Sequence, residues 1–295
     1  MTAVITERPR RSKFIRYFDK TPPGIVCPHF YILAHGNGCV FQCAYCYLQL
    51  TFRGNVHQTI FTNTDDMLRE VDQFLTREEP AVLNAGELSD ALAVDDRTGL
   101  SKELVPRFAS QGRHLLLLLT KSTNVDNLLP LEHNGRTVVS FSVNASDVAA
   151  KYEIGSPSPR ERVEAARRAA AAGYRIRFRV DPVIPIPGWE NSYRSLLEHI
   201  LEVAPPERIT FGSLRYFSNV RTYARKLGRD ASVFDYASER TPADNRRRVP
   251  TPLRLRMYKY LMGLVPPGIA TGLCKETEAC HRALGITDVV CNCTL

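Results

Sequence analysis

The chain has 295 residues, of which 44% are hydrophobic, and a net charge of +8. This length and composition can supply the core of one large α/β domain or two small ones and exclude a disordered chain. No apolar run approaches the ~20 residues that a membrane span needs, and the basic N-terminus lacks the apolar stretch of a secretory signal. We therefore expect a cytoplasmic protein with no membrane partner. The positive charge permits an anionic partner such as DNA or a nucleotide but does not demand one.

Along the chain, a polar, proline-containing N-terminal arm at residues 1–28 is predicted to be irregular, and strands and helices alternate after it. Apolar runs predict strands at residues 29–35, 81–86, 114–121, 137–144, 175–184, 208–214 and 268–274. Helical patterns occupy residues 64–78, 100–111, 158–174, 192–203 and 253–264. The first of these helices is predicted to begin at Thr64 as its N-cap, and the third has Pro159 near its start and Gly173 at its end.

Alternating helices and apolar strands are typical of a parallel sheet. The number of repeats predicts an α/β protein with a partial (β/α)6 TIM-like barrel at residues 29–272, followed by a cysteine-rich C-terminal segment at residues 273–295. Active sites of such barrels form where the strands end. Polar residues at these ends are therefore expected to meet at one mouth: Ser89, Asp90, Lys121, Ser142 and Asn144.

Eight cysteines in this chain favour metal or redox chemistry over disulfides. Cys39, Cys43 and Cys46 follow the first predicted barrel strand with the spacing C-x3-C-x2-C. Three such thiolates can bind three irons of a [4Fe-4S] cluster and leave the fourth iron open to a small chelating ligand. A zinc site would usually need a fourth protein ligand, and the nearest candidates, His35 and Cys27, have no familiar spacing. The spacing favours the open-iron cluster over zinc or over cysteines that cluster without a metal.

The same cysteine spacing after the first strand is the signature of the radical S-adenosyl-L-methionine (SAM) superfamily, which this chain resembles. Further motifs in the same order resemble the spore photoproduct lyase family across residues 29–215, with weaker similarity to about 272. These motifs are residues 31–39, 43–49, 119–121, 133–135, 141–144, 188–190 and 193–194. The resemblance implies a [4Fe-4S] cluster and SAM, cleaved to methionine and a 5′-deoxyadenosyl radical that abstracts hydrogen from a substrate. It also implies a nucleotide or nucleic-acid substrate and a reducing partner such as flavodoxin or ferredoxin.

Matched motif by motif, the resemblance implies that Ser89, Lys121 and Ser142 bind SAM. A lysine ammonium suits the methionine carboxylate, and hydroxyls suit the amino group or the ribose. Each of the three has a purely structural alternative, such as a buried serine bonded to the backbone. Tyr45 and Tyr47 match family tyrosines that are thought to participate in radical relay, and packing around the cluster is the competing role.

The chain departs from the family at two places. Where the family carries a cysteine that returns a hydrogen atom to the product radical, this chain has Glu87, whose O–H bond is far too strong for that task. The second departure is a set of four C-terminal cysteines, beyond the point where the family's chain ends: Cys274, Cys280, Cys291 and Cys293. They are sufficient for a second [4Fe-4S] cluster or for zinc, the role that we favour. Cys274 facing the mouth as a replacement hydrogen donor, redox-active thiols and plain buried cysteines are the alternatives.

The leading functional hypothesis is a lyase-type or rearrangement-type radical SAM enzyme that abstracts hydrogen from a nucleotide or nucleic-acid base. One alternative is a radical SAM enzyme that modifies a peptide or another natural-product precursor with an auxiliary cluster. The other alternative is a non-enzymatic iron–sulfur regulator that senses redox state or binds DNA.

Overall fold

An eight-stranded sheet organises the computed structural model, which describes residues 4–295. The strands are β1 (Ile5–Arg8), β2 (Ile15–Phe18), β3 (Ile25–Val26), β4 (Phe30–Leu33), β5 (Gly36–Asn37), β6 (Gln42–Cys43), β7 (Gln58–Phe61), β8 (Val82–Asn84), β9 (Leu115–Thr120), β10 (Thr137–Val143), β11 (Glu153–Ile154), β12 (Arg175–Val183), β13 (Arg208–Ser213), β14 (Arg215–Tyr216), β15 (Glu239–Arg240), β16 (Arg247–Arg248), β17 (Ala270–Leu273) and β18 (Glu276–Thr277). The helices are α1 (Leu48–Thr51), α2 (Thr64–Leu75), α3 (Asp95–Thr98), α4 (Leu100–Ala109), α5 (Ser146–Tyr152), α6 (Pro159–Ala171), α7 (Trp189–Val203), α8 (Ser218–Lys226), α9 (Thr251–Gly263) and α10 (Glu278–Ala283), with a 3-10 turn at Ala231–Tyr236.

The main sheet has the strand order β17-β13-β12-β10-β9-β8-β4-β2. Its pairs are parallel from β17 to β4, and only β2 runs antiparallel, against β4. Each predicted strand appears in this sheet, and helices follow most of the strands, as a partial barrel requires. The predicted radical SAM-type partial barrel is confirmed, with an antiparallel edge strand in addition.

The N-terminal arm was predicted to be irregular, and this was wrong for its described part. β1 pairs with β7, β2 with β4, and β3 with β18. The Glu70 carboxylate on α2 accepts hydrogen bonds from the backbone N–H groups of Phe14 and Ile15, so tertiary contacts order a segment whose composition favours loops. The N-cap of α2 is Asn63 rather than Thr64, which already belongs to the helix. The division of the chain at residues 28 and 272 stays a prediction.

Side chains alternate across β12 and give the barrel a charged inner face. Ile176, Phe178 and Val180 lie in the large apolar core beneath the helices. Arg177 and Arg179 point to the opposite face, where Arg177 contacts the C-terminal tail. The inner face of β12 therefore carries arginines, of which Arg177 is fully buried.

The C-terminal tail enters the barrel from the side where the strands begin. Cys291 and Cys293 pack with inner-face side chains of four neighbouring strands: Phe30, Val82, Leu115, Leu117 and Val138. Between the two cysteines, the Asn292 amide donates to Ser140 Oγ at 2.6 Å and to the Phe178 carbonyl at 3.1 Å. A Cβ on Gly272 would lie 1.8 Å from the carbonyl oxygen of Val290. Glycine on β17 therefore lets the tail pass, and the predicted extension is an internal plug.

Candidate active site

The loop with the three motif cysteines is held by backbone contacts at the mouth of the barrel. Gly38, just before Cys39, has φ +73°, and a Cβ there would lie 2.2 Å from the carbonyl oxygen of His57, so the position requires glycine. Cys43 lies on β6, which pairs with β11, and its carbonyl accepts a hydrogen bond from Arg229 Nη1 at 3.0 Å. These contacts fix the backbone of the loop.

The three thiols are close enough to influence one another. Burial raises the pKa of Cys39 well above its usual range, and the charges of Cys43 and Cys46 raise it further. Burial likewise raises the pKa of Cys43 to about 12 and that of Cys46, while the positive charge of Lys121 acts against both shifts and Arg229 also acts on Cys46. Three thiols with two compensating cations fit an anionic thiolate-bound cluster.

A buried carboxylate, Glu153 on β11, connects the loop to the barrel strands. It forms ion pairs with Lys121 Nζ at 3.0 Å and with Arg162 Nη2 at 2.6 Å, and it accepts a hydrogen bond from the Tyr45 hydroxyl. Lys121 Nζ also donates to Ser142 Oγ at 2.8 Å. Burial alone would raise the pKa of Glu153, but the two cations outweigh it and lower the pKa to about 2. Lys121 and Ser142 are therefore brought together, as predicted, by a residue that the sequence analysis did not single out.

Ser89 and Asp90 lie at the end of β8, at the same mouth. Ser89 Oγ and the Gln58 amide form hydrogen bonds of 3.0 and 3.1 Å, so Ser89 is anchored to β7. The Asp90 carboxylate accepts hydrogen bonds of 2.6 Å from Thr120 Oγ1 and from the backbone N–H of Lys121. Asp90 thereby joins the second and third barrel strands and fixes the backbone at Lys121.

Glu87 lies between the cysteine loop and the far wall of the barrel. The Tyr47 hydroxyl donates to the Glu87 carbonyl and lies 3.3 Å from its carboxylate. Asn84 Nδ2 donates to that carboxylate at 3.3 Å, and Arg179 Nη1 lies 3.8 Å from it. Glu87 is therefore a charged bridge from Tyr47 to Arg179.

Cys274, directly after β17, faces this same interior. Its sulfur accepts hydrogen bonds from Arg179 Nη2 at 2.9 Å and from Arg215 Nη2 at 3.2 Å. Both guanidinium groups pair with Asp181, at 3.1 and 2.8 Å. The pKa of Cys274 is raised well above its usual range, first by a hydrogen bond with the Cys291 thiol and then by burial. Two C-terminal cysteines are thus brought to the barrel interior.

The predicted metal site at the four C-terminal cysteines stays a prediction. Cys293 adjoins Cys291, and Cys280 lies buried on α10, where its backbone N–H donates to Thr277 Oγ1. Within residues 4–295, no three His, Cys, Asp or Glu side chains already converge as a metal-binding group. Any metal, including a cluster on the Cys39 loop, would therefore require the thiols to close around it.

Sequence reasoning missed Arg179, Asp181 and Arg215 as well as Glu153. Arg175, Arg177, Arg179 and Asp181 recur at every second position of β12, and this period places charge on one face of a buried strand. This alternation could have marked Arg179 and Asp181 as interior residues from the sequence alone. No local pattern marks Glu153, because its partners are 32 and 9 residues away.

The described residues contain no helix long and apolar enough to cross a membrane.

The chain is similar in sequence to known spore photoproduct lyases. The family model for spore photoproduct lyase matches residues 18–222. Spore photoproduct lyase of Bacillus subtilis (strain 168) is 32% identical over 194 residues, which are 65% of this chain and 55% of that protein. That of Geobacillus sp. (strain Y412MC61) is 31% identical over 185 residues, or 62% and 53%. The chain spans about half the length of these curated relatives.

Solved structures show the same fold. Spore photoproduct lyase complexed with dinucleoside spore photoproduct has a TM-score of 0.76 and 23% identity, and the match covers 90% of this chain and 81% of that one. A mutant of the lyase with bound AdoMet and dinucleoside spore photoproduct gives 0.76 and 24%, covering 92% and 82%. Because the family model spans more than half of the chain, the chain belongs to the spore photoproduct lyase family of radical SAM proteins.

Proposed function

We propose that this chain is a radical SAM enzyme of the lyase or rearrangement type that acts on a nucleotide or nucleic-acid base. The observation that carries the proposal is the position of Cys39, Cys43 and Cys46 at the mouth of a radical SAM barrel, beside Lys121 and Ser142. The barrel at residues 29–272 would be the catalytic unit, with residues 1–28 as an N-terminal arm and residues 273–295 as a C-terminal segment.

The three loop cysteines would hold a [4Fe-4S] cluster and leave one iron for SAM. When bound, the cluster and SAM supply a reductive cleavage that yields methionine and a 5′-deoxyadenosyl radical. Lys121 Nζ, held by Glu153 and Ser142, would bind the SAM carboxylate.

Ser89 and Ser142 would offer their hydroxyl groups to the amino group or the ribose of SAM. Both side chains are almost fully buried, at 2% and 8% exposure, which limits water near the reacting atoms. Tyr45 and Tyr47 would serve in radical relay, because their hydroxyl groups contact Glu153 and Glu87 at the mouth.

Two observations support a nucleotide substrate. Related lyase structures hold a dinucleoside spore photoproduct, and the net charge of this chain is +8. Largely buried guanidinium groups of Arg179 and Arg215 line the interior. Because Glu87 carries no weak X–H bond, either another residue quenches the product radical in this chain or the outcome of the reaction differs.

The test uses the full chain, reconstituted anaerobically with iron and sulfide and reduced by flavodoxin, ferredoxin or dithionite. SAM is added with dinucleoside spore photoproduct, or in parallel with a thymidine dinucleotide without the lesion or with a peptide. We expect 5′-deoxyadenosine, and deuterium transferred into it from labelled dinucleoside spore photoproduct. Absence of 5′-deoxyadenosine would refute an enzymatic role and leave the regulator, and transfer from the peptide alone would favour peptide modification.

The metal content of the C-terminal segment can be measured in the same preparation. One cluster on the Cys39 loop gives about four irons per chain, and a second cluster would give about eight. Zinc analysis covers the remaining metal alternative.

A further inference from the structure

A basic surface lies beside the cysteine loop, and the proposed chemistry does not use it. Residues 215–229, which include α8, contain five cations and no Asp or Glu. Residues 39–63, which include the cysteine loop and β7, contain no Asp or Glu either. The two segments are in contact, because α8 packs against α1, the short helix just after Cys46. Positive charge therefore collects next to the loop that carries the motif cysteines.

This surface is on the opposite side of the loop from the barrel interior. β6, which carries Cys43, pairs with β11, where Glu153 and Ile154 are neighbours. Adjacent strand residues point to opposite sides: Glu153 turns inward to Lys121, whereas Ile154 is 54% exposed. Arg229, in the turn after α8, donates to the Cys43 carbonyl at 3.0 Å. A partner on this side would therefore reach the cysteine loop without entering the substrate chamber.

The turn after α1 lies against the same part of α8. A Cβ on Gly54 would lie 3.3 Å from Tyr223 Cδ1, so Arg53 is next to this helix. Lys226 and Leu227 follow Tyr223 by three and four positions and therefore share its side of the helix. Leu227 is 37% exposed although it is apolar, and Arg53 and Lys226 are exposed as well. An apolar side chain thus lies among cations at the surface.

Acidic residues leave much of this charge uncompensated. Two ion pairs adjoin α8: Arg221 with Asp235, and Lys151 with Asp230. Neither involves the two cations in the last turn of α8. Apolar side chains surrounded by a charged rim are typical of protein–protein interfaces, whereas contacts to nucleic-acid phosphates use charge and hydrogen bonds. The combination favours an acidic protein as the partner over a nucleic acid.

We propose that this surface docks the acidic protein that delivers the electron for SAM cleavage, a small carrier of the flavodoxin or ferredoxin class. The inference rests on the proposed radical SAM function. The electron-entry face consists of Arg53, Ile154, Arg225, Lys226, Leu227 and Arg229. Complexes for electron transfer bury little area, so attraction between opposite charges sets how often the partners meet.

The step transfers one electron and no atom. The electron leaves the reduced cofactor of the carrier and enters the cluster on the cysteine loop. The carrier is oxidised by one electron, the cluster is reduced by one, and no bond of this chain forms or breaks. Because the carrier would bind outside the loop, SAM and substrate can occupy the interior at the same time.

The first test measures binding of flavodoxin to the cluster-free full chain at low salt. The α8 variant combines Arg225→Glu and Lys226→Glu, and its control combines Lys102→Glu and Lys259→Glu, two exposed positions on α4 and α9. Each pair lowers the net charge from +8 to +4, because each substitution replaces a cation by an anion. We expect association to slow by about tenfold or more in the α8 variant and to change little in the control.

Salt and a milder variant separate charge from folding. The difference between the α8 variant and its control should shrink as salt rises, because the screening length falls from about 10 Å at 0.1 M to about 3 Å at 1 M. Arg225→Gln with Lys226→Gln retains good helix formers and should give an intermediate loss. Equal binding of flavodoxin and of ferredoxin by the α8 variant and its control would overturn the proposal. Loss of binding to a DNA oligonucleotide with unchanged carrier binding would also overturn it and assign the face to nucleic acid.

The second test follows reduction of the reconstituted enzyme through the visible absorption of its cluster. Reduced flavodoxin should reduce the α8 variant about tenfold more slowly than the control. Dithionite needs no docking protein, so it should reduce the two variants, which have equal net charge, at equal rates.

The two proposals fail in different ways. If dithionite and SAM yield no 5′-deoxyadenosine, the radical SAM function is wrong, and the binding experiment alone decides whether the face docks the carrier. If 5′-deoxyadenosine forms and flavodoxin reduces the α8 variant as fast as its control, the docking face is wrong and the radical SAM function stands.

Discussion

Replacing Glu153 by Gln is expected to destabilise the protein strongly. The change keeps the size of the side chain but leaves Lys121 and Arg162 without the charge that they pair with at 3.0 and 2.6 Å. Glu153 and Arg162 are fully buried, and Lys121 is largely so. Breaking a buried ion pair on one side costs about 3–5 kcal/mol. At about 2–4 °C per kcal/mol for a chain of this size, the melting temperature should fall by roughly 6 °C or more.

The measurement is thermal unfolding of the cluster-free protein, with Glu164→Gln as the matched control. Glu164 pairs with Arg167 on the surface of α6, where both side chains are about half exposed, so its loss should cost at most about 1 kcal/mol. Burial would raise the pKa of Glu153, but Lys121 and Arg162 lower it to about 2 from 4.5.

The depressed pKa fixes the pH dependence of this effect. The stabilisation is complete above 4.5 and is lost as the pH falls toward 2. The difference between the wild type and Glu153→Gln should therefore be constant near neutral pH and shrink in acid. A loss no larger than that of Glu164→Gln would refute the reasoning.

Three further changes test other parts of the site. Cys46→Ala should reduce iron below the about four per chain of one cluster, measured by iron analysis and visible absorption; full iron content would contradict the cluster assignment. Gly272→Ala should displace the tail, because the new Cβ would lie 1.8 Å from the Val290 carbonyl oxygen; thiol labelling should then become faster at Cys291, and unchanged protection would count against an internal plug. Arg229→Gln removes a cation that lowers the pKa of Cys46, so the cluster's reduction potential in an electrochemical titration should become more negative, by tens of millivolts or so; an equal or higher potential would argue against Arg229 as a compensating charge.

The sequence by itself determined the barrel strands and the cysteine loop. Strands such as β9 are continuous apolar runs, buried at every position, and such runs are local signals. The spacing of Cys39, Cys43 and Cys46 is also local, since one loop contains all three. The ends of the strands could be inferred as well, and Lys121 and Ser142 do meet there at 2.8 Å.

Only the tertiary structure decided which distant groups share the interior. Glu153 meets Lys121 across 32 residues of chain, and Asn292 meets Ser140 across 152. Neither pairing has a local pattern, because it depends on how strands and tail pack. The sequence supplies the charged and polar side chains, but the tertiary structure decides which of them pair. When the tail is buried inside the barrel, each buried polar group must find a hydrogen-bond partner there.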